Sequence, residues 1–200
     1  INYDKEGSES LDAENNQEDD SYGKRKISFS KNLYIERDDF KEEANRKYFR
    51  LSLGKEVRLK NAYIIKGDSV EKDESGNITK IYCTYDSKSK SGSGTEESLR
   101  KVKGTIHWID KNNFEKISIN QYDRLFKTEF PDENKSLDYK ELINEESFKL
   151  IKSAYAESNV KEAKIENYYQ FQRKGYFKLE SSNKGLIFNR TVTLRDTWKN

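Results

Sequence analysis

The stretch GKEVRLKNAYIIK, residues 54–66, decides the fold class. From Val57 the residues alternate, with Val57, Leu59, Asn61, Tyr63 and Ile65 on one side and Arg58, Lys60, Ala62 and Ile64 on the other. A period of two belongs to a β-strand, whose successive side chains project to opposite faces. The spacing therefore predicts one long strand over about 57–66. Before it, Gly54 closes a short predicted helix that Asp39 can cap, with Glu42 three residues on and Phe40, Ala44 and Tyr48 recurring every fourth position.

Working outward, the same extended pattern recurs. Ile27 and Phe29 alternate, and Leu33-Tyr34-Ile35 continue them. ESGN at 74–77 has the composition of a hairpin turn leading into a strand over 78–85. SKSKSGSGTEES, 87–98, has the composition of a flexible loop. Further strands are predicted over 102–109, 114–126, 147–155, 167–173, 176–180 and 186–194, with a turn at Pro131 and a short helix over 136–143. Lys60-Asn61-Ala62-Tyr63 is echoed by Lys152-Ser153-Ala154-Tyr155, 92 residues later. Short strands, a single proline and even turn spacing favour closed β modules over a parallel α/β sheet. The expected architecture is mainly β: two consecutive antiparallel β-barrels with short helices. Residues 1–25 are expected as a mobile acidic linker, 26–112 as the first barrel and 113–200 as the second, its last strands returning toward the first half.

Composition narrows the function. Hydrophobic residues make up 32% and charged residues 37%, so the core is modest and the surface ionic. The 13 Tyr and 10 Phe supply much of what can be buried and suit half-buried strand faces. Residues 1–20 hold eight acids against Lys5, a net of −7; against the formal total of +2, this leaves +9 on the other 180 residues. A basic body suits a polyanionic partner. Cys83 is the only cysteine, which excludes an internal disulfide and points to a reducing, cytoplasmic compartment. No apolar run approaches the roughly 20 residues of a membrane-spanning helix, and no signal-peptide pattern is present. The chain begins with Ile1 and is expected to be part of a longer protein.

A set of ordered blocks carries a family resemblance. They are DFKEEANRKYFRLSLGKEVRLKNAYIIK (39–66), EKDESGNITKIYCTYD (71–86), KVKGTIHWID (101–110), INQYDRLF (119–126), YYQFQRKGYFKLE (168–180) and FNRTVTLRDTW (188–198). In this order they resemble the anticodon-binding region of glutaminyl-tRNA synthetases, from residue 26 to the C-terminus. The resemblance implies two β-barrels of the kind shared with a ribosomal 5S-rRNA-binding protein, and the tRNA for glutamine as partner. It also implies a preceding catalytic domain that uses ATP and magnesium, so no cofactor is expected within these residues and no oligomer is required.

The physics of an anticodon loop fits that resemblance. Its unpaired bases are read by hydrogen bonding and stacking. The glutamine anticodons CUG and UUG share a third-position guanine, whose O6 and N7 match the planar donor fork of arginine. Arg50 matches the family arginine that reads this base. Lys60 stands where the family often has arginine, near the first base; lysine is a point charge that forms no fork, which favours phosphate contact there. Arg58 is a phosphate candidate on the same strand face. Gln170 matches the family glutamine that reads the middle uracil, its amide offering donor and acceptor. Arg173 is a further phosphate candidate, and Tyr48, Phe49, Tyr168 and Tyr169 are candidate stacking platforms. The family uses another arginine upstream of Ile1.

The plainer readings are set against these. A basic residue on a strand is ordinarily a solvated face, and most strand Tyr and Phe are core. Cys83, alternating with Ile81 and Tyr85, reads as a buried thiol. His107 has no second histidine with which to build a metal site. SKSKS at 87–91 lacks the methionine and context of a class I synthetase signature loop, and SGSG lacks a phosphate loop's spaced Gly-Lys-Ser/Thr. Two alternatives remain: the homologous region of an archaeal or eukaryotic-type glutamyl-tRNA synthetase, and a β-barrel protein that binds ribosomal RNA. A stand-alone hydrolase lacks a nucleophile–base pair.

Overall fold

A computed structural model of the chain describes residues 1–133, 135–181 and 185–194. It divides into two units. The first comprises Ile1–Phe114 with Glu157–Asn159, the second Glu115–Ala156 with Val160–Asn200. The final residues of the motif FNRTVTLRDTW, 195–198, lie outside the described residues.

The first unit contains three sheets. Strands β1 (Glu9–Glu14) and β2 (Lys24–Phe29) pair antiparallel. Strand β3 (Leu33–Ile35) pairs antiparallel with β8 (Trp108–Asp110). The third sheet has the order β6-β5-β4-β7, formed by β4 (Glu56–Leu59), β5 (Ile64–Lys72), β6 (Ile78–Asp86) and β7 (Thr105–Ile106). Strand β7 runs parallel to β4, and the other pairs in this sheet are antiparallel. The single α-helix among the described residues, α1, spans Glu96–Leu99.

Phe29 sits at the centre of this unit. Its ring lies 5.5 Å from Tyr3, 5.2 Å from Tyr63 and 5.1 Å from Trp108. Leu11, Ala13, Phe40, Leu51, Val57, Leu59 and Ile106 complete the core. Residues 1–25 are thus not a mobile linker. Tyr3, Leu11 and Ala13 are buried, and β1 alternates these apolar positions with exposed acids such as Asp12 and Glu14. The acidic composition is the solvent face of a strand.

The second unit carries one five-stranded sheet of order β10-β9-β13-β12-β11. Its strands are β9 (Phe114–Tyr122), β10 (Phe148–Glu157), β11 (Tyr168–Phe171), β12 (Gly175–Ser181) and β13 (Ile187–Val192). Ile117, Ile119, Phe177, Leu179 and Phe188 form its core, with Phe171 stacked on Phe177 at 4.3 Å.

The two expected β-barrels do not form, although the mainly β composition with short helices holds. No sheet among the described residues closes on itself; the four-stranded sheet ends at β6 and β7, and the five-stranded sheet at β10 and β11. Closure needs every strand hydrogen-bonded on both sides. In the first unit, the segments that would complete a ring make only single bridges, Phe40 to Leu51 and Leu53 to Gly67.

Four local expectations also change. The single strand over 57–66 is a hairpin. Asn61 adopts a left-handed backbone with φ of 60°, and Leu59 N–H donates to the Tyr63 carbonyl, turning the chain between β4 and β5. Asparagine is among the few residues that tolerate this conformation. Lys152–Tyr155, by contrast, lies within β10, so the 92-residue echo does not mark equivalent elements.

The helix predicted after Asp39 does not form; a 3-10 turn, Arg37–Asp39, ends where it was expected to begin. Lys41 N–H donates to the Leu51 carbonyl and Leu51 N–H to the Asp39 carbonyl, so this backbone bonds across to residue 51 instead of along itself. The Ser/Gly loop is also built. Ser89 is fully buried, its hydroxyl accepts the Ile64 N–H at 2.8 Å, and Thr95 caps α1.

Candidate nucleic-acid interface

Arg50 forms a bend immediately before the bridge between Phe40 and Leu51. Its Nη1 donates to Asp39 Oδ1 at 2.6 Å. The Arg50 side chain is 39% exposed, whereas that of Asp39 is 0% exposed. The guanidinium is therefore anchored from beneath and open above. Phe49 beside it is exposed, and Tyr48 is half-buried, its hydroxyl donating to the Asp38 carbonyl and Lys41 Nζ lying 5.2 Å from its ring centre. Burial first, then the Asp39 carboxylate, raises the Tyr48 pKa, which keeps the phenol neutral. A neutral ring, a bare phenyl and an arginine are groups that stack on and hydrogen-bond to bases.

Arg58 has a different neighbourhood. Its Nη1 donates to the Ser89 carbonyl and the Ser91 hydroxyl, and its Nη2 to the carbonyls of Ser98 and Arg100. Four acceptors from the 89–100 segment converge on one guanidinium, which organises the Ser/Gly loop against β4. Arg100 in turn bonds to Glu56 and Asp86.

Lys60 lies in a third neighbourhood, at the start of the β4–β5 turn, where its carbonyl accepts the Trp108 indole N–H at 2.9 Å. Burial, then the charge of Arg25, lowers the Lys60 pKa, while Glu14 and Glu157 oppose the shift. Arg25 itself makes a two-pronged pair with Glu157, through Nε at 2.6 Å and Nη2 at 3.0 Å. His107 Nε2 lies 3.4 Å from the same carboxylate. Arg50, Arg58 and Lys60, predicted for one surface, thus each answer to different partners.

In the second unit Gln170 is exposed on β11, with Tyr168 two residues before it on the same face. Their partners across the ladder are Tyr176 and Lys178 of β12. Lys178 Nζ lies 5.1 Å from the centre of the Tyr168 ring. Beyond Lys178 the next partner is Asn189 of β13, whose Oδ1 accepts from Asn120 Nδ2 at 2.9 Å. This face therefore presents two tyrosines, a lysine and a row of amides.

Tyr169 points the other way, half-buried against the second core. Arg173 sits in the turn between β11 and β12 with φ of 61°. That left-handed backbone is costly for arginine, and such strain concentrates where side-chain direction matters.

Sequence reasoning missed Asp39 as the anchor of Arg50, along with Tyr176, Lys178 and Asn189. Tyr176 and Lys178 carried a readable signal. Gly175–Ser181 alternates buried and less buried positions, which puts Tyr176, Lys178 and Glu180 on the outer face. Cys83 is half-buried, and burial followed by the Asp68 carboxylate pushes its thiol up to about 11, which suppresses the thiolate.

Two segments of the chain, residues 1–86 and 105–180, match families that share the description "tRNA synthetases class I (E and Q), anti-codon binding domain". Among curated proteins, the glutamine–tRNA ligase of Proteus mirabilis is 50% identical over 196 residues, covering 96% of this chain and 34% of the relative. That of Rhodopirellula baltica is 46% identical over 193 residues, covering 95% and 32%. That of Clostridium perfringens is 45% identical over 201 residues, covering 99% and 36%. The chain spans about a third of the length of these relatives.

Proposed function

The chain belongs to the anticodon-binding domains of the class I tRNA synthetases of the E and Q type, and from that premise we propose that it reads the anticodon loop of the tRNA for glutamine. The relatives at 44–50% identity bear the name glutamine–tRNA ligase, which favours glutamine over glutamate within the family. The observation that carries the reading is the placement of Arg50, a solvent-facing donor fork held at a fixed point beside an exposed phenylalanine. Such a fork meets guanine O6 and N7, and guanine is the base common to both glutamine anticodons.

In this reading Gln170 meets the middle uracil, and Tyr168 and Tyr176 provide faces on which bases stack. Lys60 and Arg173 neutralise phosphates. Arg58 acts through the loop it organises, since its donors already have carbonyl and hydroxyl acceptors. Joining glutamine to tRNA, with its need for ATP and magnesium, belongs to the part of the enzyme outside this third, and the setting is the cytoplasm, with the protein acting as a monomer. No helix among the described residues is long and apolar enough to cross a membrane.

The test is filter binding of tRNAs that differ only in the anticodon. The glutamine tRNA should bind most tightly, and its affinity should fall steeply with salt, as when several phosphates are neutralised. Arg50→Ala should lower discrimination at the third base, and Lys24→Ala, at an exposed β2 position, should leave it unchanged. Equal affinity for all anticodons would reduce the chain to a nonspecific RNA binder.

A further inference from the structure

We infer that Asp39 is a specificity-determining positioning residue, a buried carboxylate that fixes which edge of Arg50 faces the RNA. The inference rests on the reading of Arg50 given above and extends it to a residue that never touches the nucleic acid. Asp39 is fully buried, yet it pairs with a side chain that is 39% exposed. A carboxylate taken wholly out of water is costly unless paired and hydrogen-bonded, so losing contact with the Arg50 guanidinium is disfavoured and the pair stays formed. Its backbone is held on both sides: Asp39 N–H donates to the Glu36 carbonyl, and its own carbonyl accepts the Leu51 N–H. The neighbouring Phe40 bridges Leu51. The carboxylate is thus carried by backbone that is hydrogen-bonded to Leu51, the residue immediately after Arg50.

The consequence is geometric. Nη1 of Arg50 is engaged with Asp39 at 2.6 Å, and Nε and Nη2 have no protein acceptor among the described residues. Nε and Nη2 present two parallel donors along one edge of the planar guanidinium, the pattern that a bidentate acceptor requires. An arginine free to rotate spreads this edge over many directions and loses entropy when it binds. One clamped by a rigid carboxylate presents it in advance. Arg50 therefore reads its base through the Nε–Nη2 edge, and Asp39 supplies the direction.

The test uses the 200-residue chain and two RNA hairpins with anticodons CUG and CUA, so that only the third base differs. Asp39→Asn preserves shape and removes the charge. It should lower the CUG-over-CUA preference about tenfold, the loss expected when one bidentate base contact is disordered. In an Arg50→Ala background the same substitution should leave the remaining preference unchanged, an outcome that a general loss of stability would not produce. A preference unaltered by Asp39→Asn, or reduced equally in both backgrounds, overturns the proposal while leaving the anticodon reading intact. No preference in the unsubstituted chain overturns both. Should Asp39→Asn fail to fold, the unsubstituted chain still decides the matter: the Arg50 Nη1 protons, bonded to Asp39, should give an NMR signal resolved from that of the Nη2 protons, and a single averaged guanidinium signal refutes the clamp.

Discussion

The Glu157 carboxylate accepts two parallel hydrogen bonds from Arg25, from Nε at 2.6 Å and from Nη2 at 3.0 Å. Residues 157–159 belong to the first unit although the chain on either side of them belongs to the second. The pair joins β2 to a segment 132 residues away in sequence. Planar, two-pronged arginine–carboxylate pairs hold orientation as well as charge.

That pair sets an acid response. Burial works to raise the Glu157 pKa, but hydrogen bonds from His107 and Arg25, and their charges, outweigh it and hold the carboxyl at about 2 against an ordinary 4.5. Because the folded value lies below the unfolded one, the stabilisation is complete above about 4.5 and disappears as pH falls through about 2. The linked free energy is on the order of 3 kcal/mol. Urea unfolding at pH 7 should show Glu157→Gln less stable by about 3 kcal/mol, the low end of the cost of removing one partner from a buried pair. The gap should narrow through pH 4 and 3. A constant gap would show that Glu157 acts by shape and not by charge.

Gly104 controls the backbone beside Arg50. A Cβ built there lies 2.2 Å from the Phe49 carbonyl oxygen and 2.9 Å from its carbon, so even alanine displaces main chain, which yields poorly. Gly104→Ala should cost about 1–3 kcal/mol of stability, the range for overpacking. It should also weaken third-base discrimination, because the displaced residue precedes Arg50. Thermal unfolding and the paired-hairpin binding measurement check the two effects. Full stability with full discrimination would mean that this close approach is not needed.

These dependencies explain how much was legible in the sequence. Val57 and Leu59 alternate with Arg58 and Lys60 as a strand should, and the structure puts the apolar pair in the core. The turn at Asn61 was hidden because a polar residue in an alternating run looks like an outward strand position; only its left-handed backbone reveals the hairpin. Leu11 and Ala13 also alternate, but eight acids in the first 20 residues drowned two apolar letters, and the ring of Phe29 that receives Tyr3 is not visible locally. Asp39 followed the pattern of a helix cap, whereas its partner, Arg50, lies eleven residues on. Open sheets instead of barrels reflect strand ends and single bridges, which are tertiary outcomes. Gln170 is an expectation from the family resemblance; alternation alone puts Tyr176 and Lys178 on an outer face, but their places opposite Gln170 and Tyr168 come only from the strand register.

Arg58 should behave as the organiser of its loop. Four acceptors between Ser89 and Arg100 share its guanidinium. Hydrogen bonds to charged groups contribute roughly 1.5–3 kcal/mol when buried, and less where half-exposed. Arg58→Ala should therefore cost roughly 2 kcal/mol and open residues 87–98 to trypsin at Lys88 and Lys90, while cleavage elsewhere stays slow. Arg58→Lys should protect the loop only partly, since an ammonium cannot span four acceptors arranged for a fork. Unchanged protease resistance in Arg58→Ala would show that Ser89 and the Thr95 cap hold the loop unaided.

The outer and inner faces of β11 should separate binding from stability. Tyr168 is 64% exposed with the Lys178 ammonium over its ring, whereas Phe171 stacks on the fully buried Phe177 at 4.3 Å. Base–aromatic stacking contributes about 1–3 kcal/mol per base. Tyr168→Ala should thus weaken binding of the glutamine tRNA about five- to a hundredfold and leave the unfolding midpoint unchanged. Phe171→Ala should instead cost roughly 2–3 kcal/mol of stability, less than deletion of a fully buried aromatic because this ring is half-buried. Fluorescence anisotropy with labelled tRNA measures the first and urea titration the second. If Tyr168→Ala bound tRNA normally, the outward face of β11 and β12 would lose its role as a stacking surface, and Gln170 beside it would lose its neighbouring support as the reader of the middle base.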